Sequence, residues 1–155
     1  MNNHFMQEAI RIALESAREN NGGPFGAVII RADTIVGRGA NEVTRSNDPT
    51  AHAEIVAIRD ACRRLNTFQL ADCDLYASCE PCPMCLGAIY WARIKRVFFA
   101  GTRKDASQAG FDDAMIYREI SLPPDQRSVS MEQLEHAHRL EPFAAWKKKA
   151  DRVRY

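Results

Sequence analysis

No stretch of this chain is apolar for the roughly 20 residues that a membrane-spanning helix needs, which excludes a bilayer-crossing helix. Charge of one sign is also lacking: 21 Lys and Arg stand against 20 Asp and Glu, a net +1. No broad basic surface for nucleic acid or anionic lipid is expected from that balance. The opening residues, Met1 to Glu8, lack the basic-then-apolar layout of an export signal. Cysteines number five, an odd count that a disulfide framework cannot use in full, and three of them fall within seven residues. Such a cluster reads as metal chemistry in a reducing compartment, so a cytoplasmic protein is expected. Internal repeats and low-complexity tracts are absent. What is present is 155 residues with 46% hydrophobic content, enough for a single domain, 1–155, with a sizeable core.

Phe5, Ala9, Ile10, Ala13, Leu14 and Ala17 recur at three and four, which predicts an amphipathic helix over 5–18, stopped by Asn20-Asn21-Gly22-Gly23-Pro24. Two short apolar strands follow, 25–31 and 34–43, joined through Ala32-Asp33 as an antiparallel hairpin without the glycine that tight turns favour. Asp48-Pro49-Thr50 reads as a turn and cap for a helix over 51–65, with Ile55, Ile58, Cys62 and Leu65 inward. Strand 74–78, helix 83–93 and strand 97–100 complete a β-α-β pattern, so the sheet is expected to be mixed. Residues 101–108 read as a polar loop, 114–119 as a short helix, 121–130 as a connector with Pro123-Pro124, and 142–150 as a last helix. Cys62 reads as a buried helix residue and Cys73 as a loop thiol. His136 and His138 have no partner spacing.

The organising feature is His52-Ala53-Glu54 read together with Cys79-Glu80-Pro81-Cys82-Pro83-Met84-Cys85. Cys82 and Cys85, three apart at a helix start, share one face. With His52 they offer three ligands for a tetrahedral Zn2+ and leave the fourth position to water. His52 and Glu54 point about 200° apart within a helix and converge only over its first turn, where Pro49 and Thr50 place the start. Pro83 suits the first turn of the next helix, so the positive ends of two helix dipoles meet at the metal. Ala53 and Ala57 on one helix and Gly87 and Ala88 on the other are small enough for close approach. Glu54 is then the general base and acid for a zinc-activated water. The competing reading is a closed structural site of Cys79, Cys82, Cys85 and His52, with Glu54 only complementing the dipole.

H-x-E followed by P-C-x-x-C is the signature of zinc deaminases. Together with Thr50-Ala51, Gly87-Ala88-Ile89 and Ala92-Arg93-Ile94, it resembles the cytidine-deaminase-like superfamily. Its branch of tRNA adenosine deaminases, yeast-type cytosine deaminases and bacterial guanine deaminases is the nearest. The resemblance implies a three-layer α/β/α sandwich around a mixed sheet of about five strands, one strand more than the residues themselves indicate. Within the branch the whole chain is most similar to the guanine deaminases, through Gly22 to Val28, Ser46 to Thr50, Tyr90 to Arg93, Ala109 to Asp113, Ile116 to Ile120 and a tail ending in Tyr155.

That similarity implies hydrolysis of free guanine to xanthine and ammonia, with Phe25, Asn41, Ala53, Trp91, Asp113 and Tyr155 against the base. It also implies a homodimer in which residues near 131–155 are exchanged, Pro123-Pro124 being a plausible hinge. Guanine presents N–H donors at N1 and the 2-amino group, which suits a carboxylate such as Asp113, with Glu54 alone or both acids moving protons. On spacing alone Asp113 reads also as a cap before Ala114, Asn41 as a loop amide, and Phe25 and Trp91 as aromatic core. Alternatives within reach of the same residues are a wobble-base tRNA adenosine deaminase and a non-catalytic, zinc-stabilised RNA-binding module. The run Lys147-Lys148-Lys149 reads as a solvated face or an RNA contact.

Overall fold

Helix α1, Asn3–Arg18, presents Phe5, Ala9, Ile12, Ala13 and Ser16 to the interior. Ile10 and Leu14, expected on that stripe, lie on its exposed flank, because the inward track runs 5, 9, 12, 13, 16. The chain is described by a computed structural model covering residues 3–155; Met1 and Asn2, the head of the segment read for an export signal, lie outside it. No helix among the described residues is long and apolar enough to cross a membrane. The chain divides into two compact units, Met1–Asp113 and Ala114–Tyr155.

In the first unit, β1 (Gly26–Arg31) and β2 (Thr34–Ala40) form the expected hairpin. Its turn residues Ala32 and Asp33 both take positive φ, 45° and 58°, so the left-handed pair that glycine normally supplies is adopted without one. The strand ends at Ala40, three residues short of the expected 43, and a short helix, α2 (Val43–Ser46), follows in the polar stretch before the Asp48-Pro49-Thr50 turn. Next come α3 (Ala53–Leu65), β3 (Cys73–Cys79), α4 (Pro83–Trp91) and β4 (Arg96–Gly101). The sheet order is β2-β1-β3-β4, with β1 antiparallel to both neighbours and β3 parallel to β4, a mixed sheet as predicted.

Period-two alternation divides β1 between two layers. Ala27 and Ile29 join Ala53, Ala57, Ala61 and Ile89 of α3 and α4 on one face. Val28 and Ile30 join Phe5 and Ile12 of α1 on the other. The result is a three-layer α/β/α sandwich. Its described sheet has four strands, not the five that the resemblance implied. The segment after Gly101 makes a helix instead, α5 (Arg103–Gln108), started by a reciprocal capping box between Thr102 and Asp105. Cys73 is also corrected: it opens β3 and is buried in the core rather than sitting in a loop. Cys62 is half-buried at the core edge.

Close approach of helix and sheet occurs at α3, but through the strand's glycines. A Cβ at Gly39 would lie 2.1 Å from the Ala53 carbonyl oxygen, whereas one at Gly87 would meet nothing within 4 Å. Gly39→Ala is therefore expected to push the first turn of α3 off the sheet and to lower stability by about 1–3 kcal/mol, read by denaturant unfolding. A second expectation concerns Glu8, which accepts from Arg11 at 2.7 Å and from Arg38 of β2 at 3.2 Å. The Arg11 hydrogen bond is the main cause that lowers its pKa from 4.5 to about 2. Stability from this group is present above its unfolded value and is lost as the pH falls from 4.5 through about 2. Glu8→Gln should lower the thermal midpoint near neutrality and lose that difference by pH 2, an exposed-pair effect of about 0.2–1 kcal/mol.

The second unit contains α6 (Ala114–Ser121), a 3-10 turn at Pro124–Gln126 and α7 (Glu141–Lys148). None of its residues is buried. Arg152 folds back to donate to the Lys147 and Lys149 carbonyls at 2.8 and 3.2 Å, complementing the end of α7.

Candidate metal and catalytic centre

The turn before α3 sets the first ligand. Asp48 accepts from the Thr50 N–H and hydroxyl at 2.8 and 2.7 Å, and the His52 N–H donates to the Thr50 carbonyl. His52 is then the N-cap of α3 in an extended conformation, with its side chain not used for capping. Cys82 is the N-cap of α4, also extended and also not capping, and Pro83 follows in the first turn. Cys85 stands one turn further along α4, fully buried. Both helix starts therefore aim their side chains at one point, as the spacing predicted.

His52 Nδ1 lies 3.5 Å from each of Cys82 Sγ and Cys85 Sγ, and the three donor atoms lie within 4.8 Å of one another. A tetrahedron with Zn–S near 2.3 Å and Zn–N near 2.05 Å has N···S edges of about 3.5–3.6 Å, so the donor set fits zinc. Shared protons say the same. The Cys85 thiol donates to Cys82 and, with His52, lowers the Cys82 pKa to about 4, while the Cys85 thiol is pushed far up. The Cys82 thiolate raises His52. These are the protons that a divalent cation displaces.

Cys79 is not part of the cluster. Its thiol lies 3.6 Å from the Thr102 carbonyl, so a closed Cys3His shell is not assembled. Among the described residues this is the single group of three or more His, Cys, Asp or Glu side chains placed to hold a metal; His136 and His138 form none. Glu54, at the second position of α3, is 8% exposed, and burial raises its pKa. Its carboxyl lies within hydrogen-bond reach of the Cys85 thiol yet outside the ligand triad.

The rest of the site gathers at the same end of the sheet, where β3 and β4 finish and β1 begins. The Gly26 N–H donates to Ser78 Oγ at 3.0 Å, and the Asn41 N–H to the Phe25 carbonyl at 3.0 Å. Asn41 is buried, and its Oδ1 accepts from the N–H groups of Gly23 and Val43 at 3.0 and 3.3 Å. That fixes the orientation of its amide. Phe25 meets Phe111 edge-to-face, centroids 4.9 Å apart at 85°. Ala53 opens α3, buried beside Glu54. Asp113 Oδ1 accepts from Arg103 Nε at 3.0 Å. Trp91 ends α4, eight residues beyond Pro83 and about 12 Å along the axis, and is 70% exposed. Tyr155 closes the second unit, exposed.

Two members of this group escaped the sequence reading. Phe111 lay inside a recognised segment but carried no spacing signal. Arg103 lay in a stretch read as loop, and only the Thr102-x-x-Asp105 cap could have revealed its helix.

Residues 1–101 match the cytidine and deoxycytidylate deaminase zinc-binding region. The chain belongs to that family of zinc deaminases. Within it the chain stands with the guanine deaminases: it is 52% identical to guanine deaminase of Bacillus subtilis over 151 residues, 97% of each chain. The X-ray structure of guanine deaminase from Bacillus subtilis superposes with a TM-score of 0.98 at 51% identity, covering 100% of this chain and 99% of the other. More distant are a tRNA-specific adenosine deaminase of Aquifex aeolicus, 44% identical over 65% of this chain and 66% of its own, and guanine deaminase from Nitrosomonas europaea. The latter superposes at TM-score 0.69 with 29% identity, over 74% of this chain and 66% of its own.

Proposed function

We propose that this protein converts free guanine and water to xanthine and ammonia in purine breakdown, acting in the cytoplasm. The observation that carries the reading is a three-donor His52-Cys82-Cys85 cradle beside a buried, uncoordinated Glu54, in a chain alike end to end with a guanine deaminase. Zinc held there supplies a Lewis acid and makes water nucleophilic near neutral pH.

Glu54 takes one proton from the attacking water and gives it to the ring nitrogen, then carries the proton of the newly added hydroxyl to the amine, so that the C–N bond breaks and ammonia leaves as the carbonyl forms. Asn41 offers its fixed amide to the purine edge, Phe25 packs against the ring, and Ala53 lies under it. Asp113 accepts from the N1–H and 2-amino donors of guanine. Ammonia release should be seen with guanine and not with adenine, cytosine or a tRNA anticodon stem-loop. Release from the stem-loop alone would overturn the reading in favour of a tRNA adenosine deaminase.

The working form is a homodimer in which residues near 131–155 are exchanged, bringing Tyr155 over the base, which Phe25 and Trp91 hold between them. Support comes from the second unit, which buries no residue and exposes Leu134, Leu140, Phe143 and Trp146. Light scattering should give twice the chain mass; a fully active monomer would overturn this arrangement.

A further inference from the structure

Asp113 does not stand alone. Its Oδ1 accepts from Arg103 Nε at 3.0 Å, and both side chains are largely withdrawn from solvent, Asp113 18% and Arg103 34% exposed. Arg103 is the first residue of α5, and its backbone N–H donates to Glu80 Oε2 at 3.1 Å. Glu80 is itself tied to the sheet, its N–H donating to the Gly101 carbonyl at 2.9 Å, where the parallel β3–β4 ladder ends. The Thr102–Asp105 box holds the same first turn from its other side. A continuous line of contacts thus runs from the loop that presents Cys82, through Glu80 and Arg103, to Asp113.

We propose that Arg103 is a positioning residue that fixes the Asp113 carboxylate for the base, an inference that rests on the guanine reading. A carboxylate has two oxygens and accepts several hydrogen bonds. The Arg103 Nε contact falls on Oδ1, and the second oxygen, Oδ2, serves the paired N–H donors of guanine. Without Arg103, an aspartate at the end of the Gly110-Phe111-Asp112 turn keeps its rotamer freedom and must be ordered by the substrate itself. That cost falls on binding, not on the chemical step at Glu54.

The test compares KM and kcat for guanine in the zinc-loaded parent, Arg103→Ala, Arg103→Gln, Asp113→Ala and the Arg103→Ala/Asp113→Ala pair, with zinc content and thermal midpoint read on each. Arg103→Ala should raise KM about tenfold or more with kcat within about threefold, and Arg103→Gln, which keeps one donor, should fall between it and the parent. In the Asp113→Ala background the Arg103 change should add nothing. Effects that multiply in the pair overturn the proposal, as does an unchanged KM. A drop in KM performance that tracks lost zinc or a lowered midpoint in both Arg103 variants also overturns it, assigning Arg103 to the fold. A parent that releases no ammonia from guanine defeats the functional reading itself, a distinct result from an active parent with multiplying effects.

Discussion

Glu54→Gln is expected to lower kcat by about 10²–10⁴-fold while zinc content stays at that of the parent. Glutamine matches the shape and hydrogen-bonding reach of the acid but carries no proton to give or take. Glu54 is buried, and burial raises its pKa, so the folded state bears a cost for holding this carboxyl in its charged form. Removing the charge should therefore leave the thermal midpoint unchanged or slightly higher. Loss of turnover with undiminished stability and full metal is the signature of a proton carrier. Turnover near that of the parent would remove Glu54 from the chemistry.

Replacing Cys85 by serine should have the other large effect, loss of zinc and activity together. Cys85 is fully buried and lies 3.5 Å from His52 Nδ1, so serine shortens the ligand and hardens it at the least adaptable corner of the cradle. Affinity for zinc should fall by more than about 100-fold, since disturbing even the groups behind a ligand costs 10–100-fold. Cys79→Ser should behave differently. The Cys79 thiol faces the Thr102 carbonyl, outside the donor set, so zinc and turnover should be retained. Metal analysis and ammonia release on the two variants side by side check both expectations. Equal zinc loss from both would restore the structural Cys3His reading and withdraw catalysis.

Local spacing made the centre legible before any fold was known. His52-x-Glu54 after a proline turn and Pro81-Cys82-x-x-Cys85 before a helix each specify a helix start, and both ligands prove to be N-caps. Strand and helix order was legible for the same reason: β1 and β3 are short apolar runs, and α1 and α3 carry helical periodicity. Features decided by distant contacts were not. Gly87 looked like a point of close approach between helices, yet a Cβ there would meet nothing within 4 Å; the close approach that needs a glycine is that of β2 to α3, Gly39 against Ala53, which no local pattern announces. Helix α5 is six residues long and rests on a cap rather than a stripe, so periodicity missed it and Arg103 with it. Cys73 looked like a loop thiol because its neighbours Asp72 and Asp74 are polar, although strand pairing to Arg31 carries it into the core.

Gly101 is the last residue both of β4 and of the stretch that matches the zinc-binding region. His52, Cys82, Cys85 and Glu54 lie before that point, together with Phe25, Asn41 and Ala53, while Arg103, Asp113 and Tyr155, which we also assign to the base, lie after it. The metal cradle is thereby written wholly on the leading length of the polypeptide, and the choice of nucleobase partly on the trailing one. A lineage can retain the leading two-thirds and shift its molecular target by rewriting the trailing third, with the metal chemistry inherited intact.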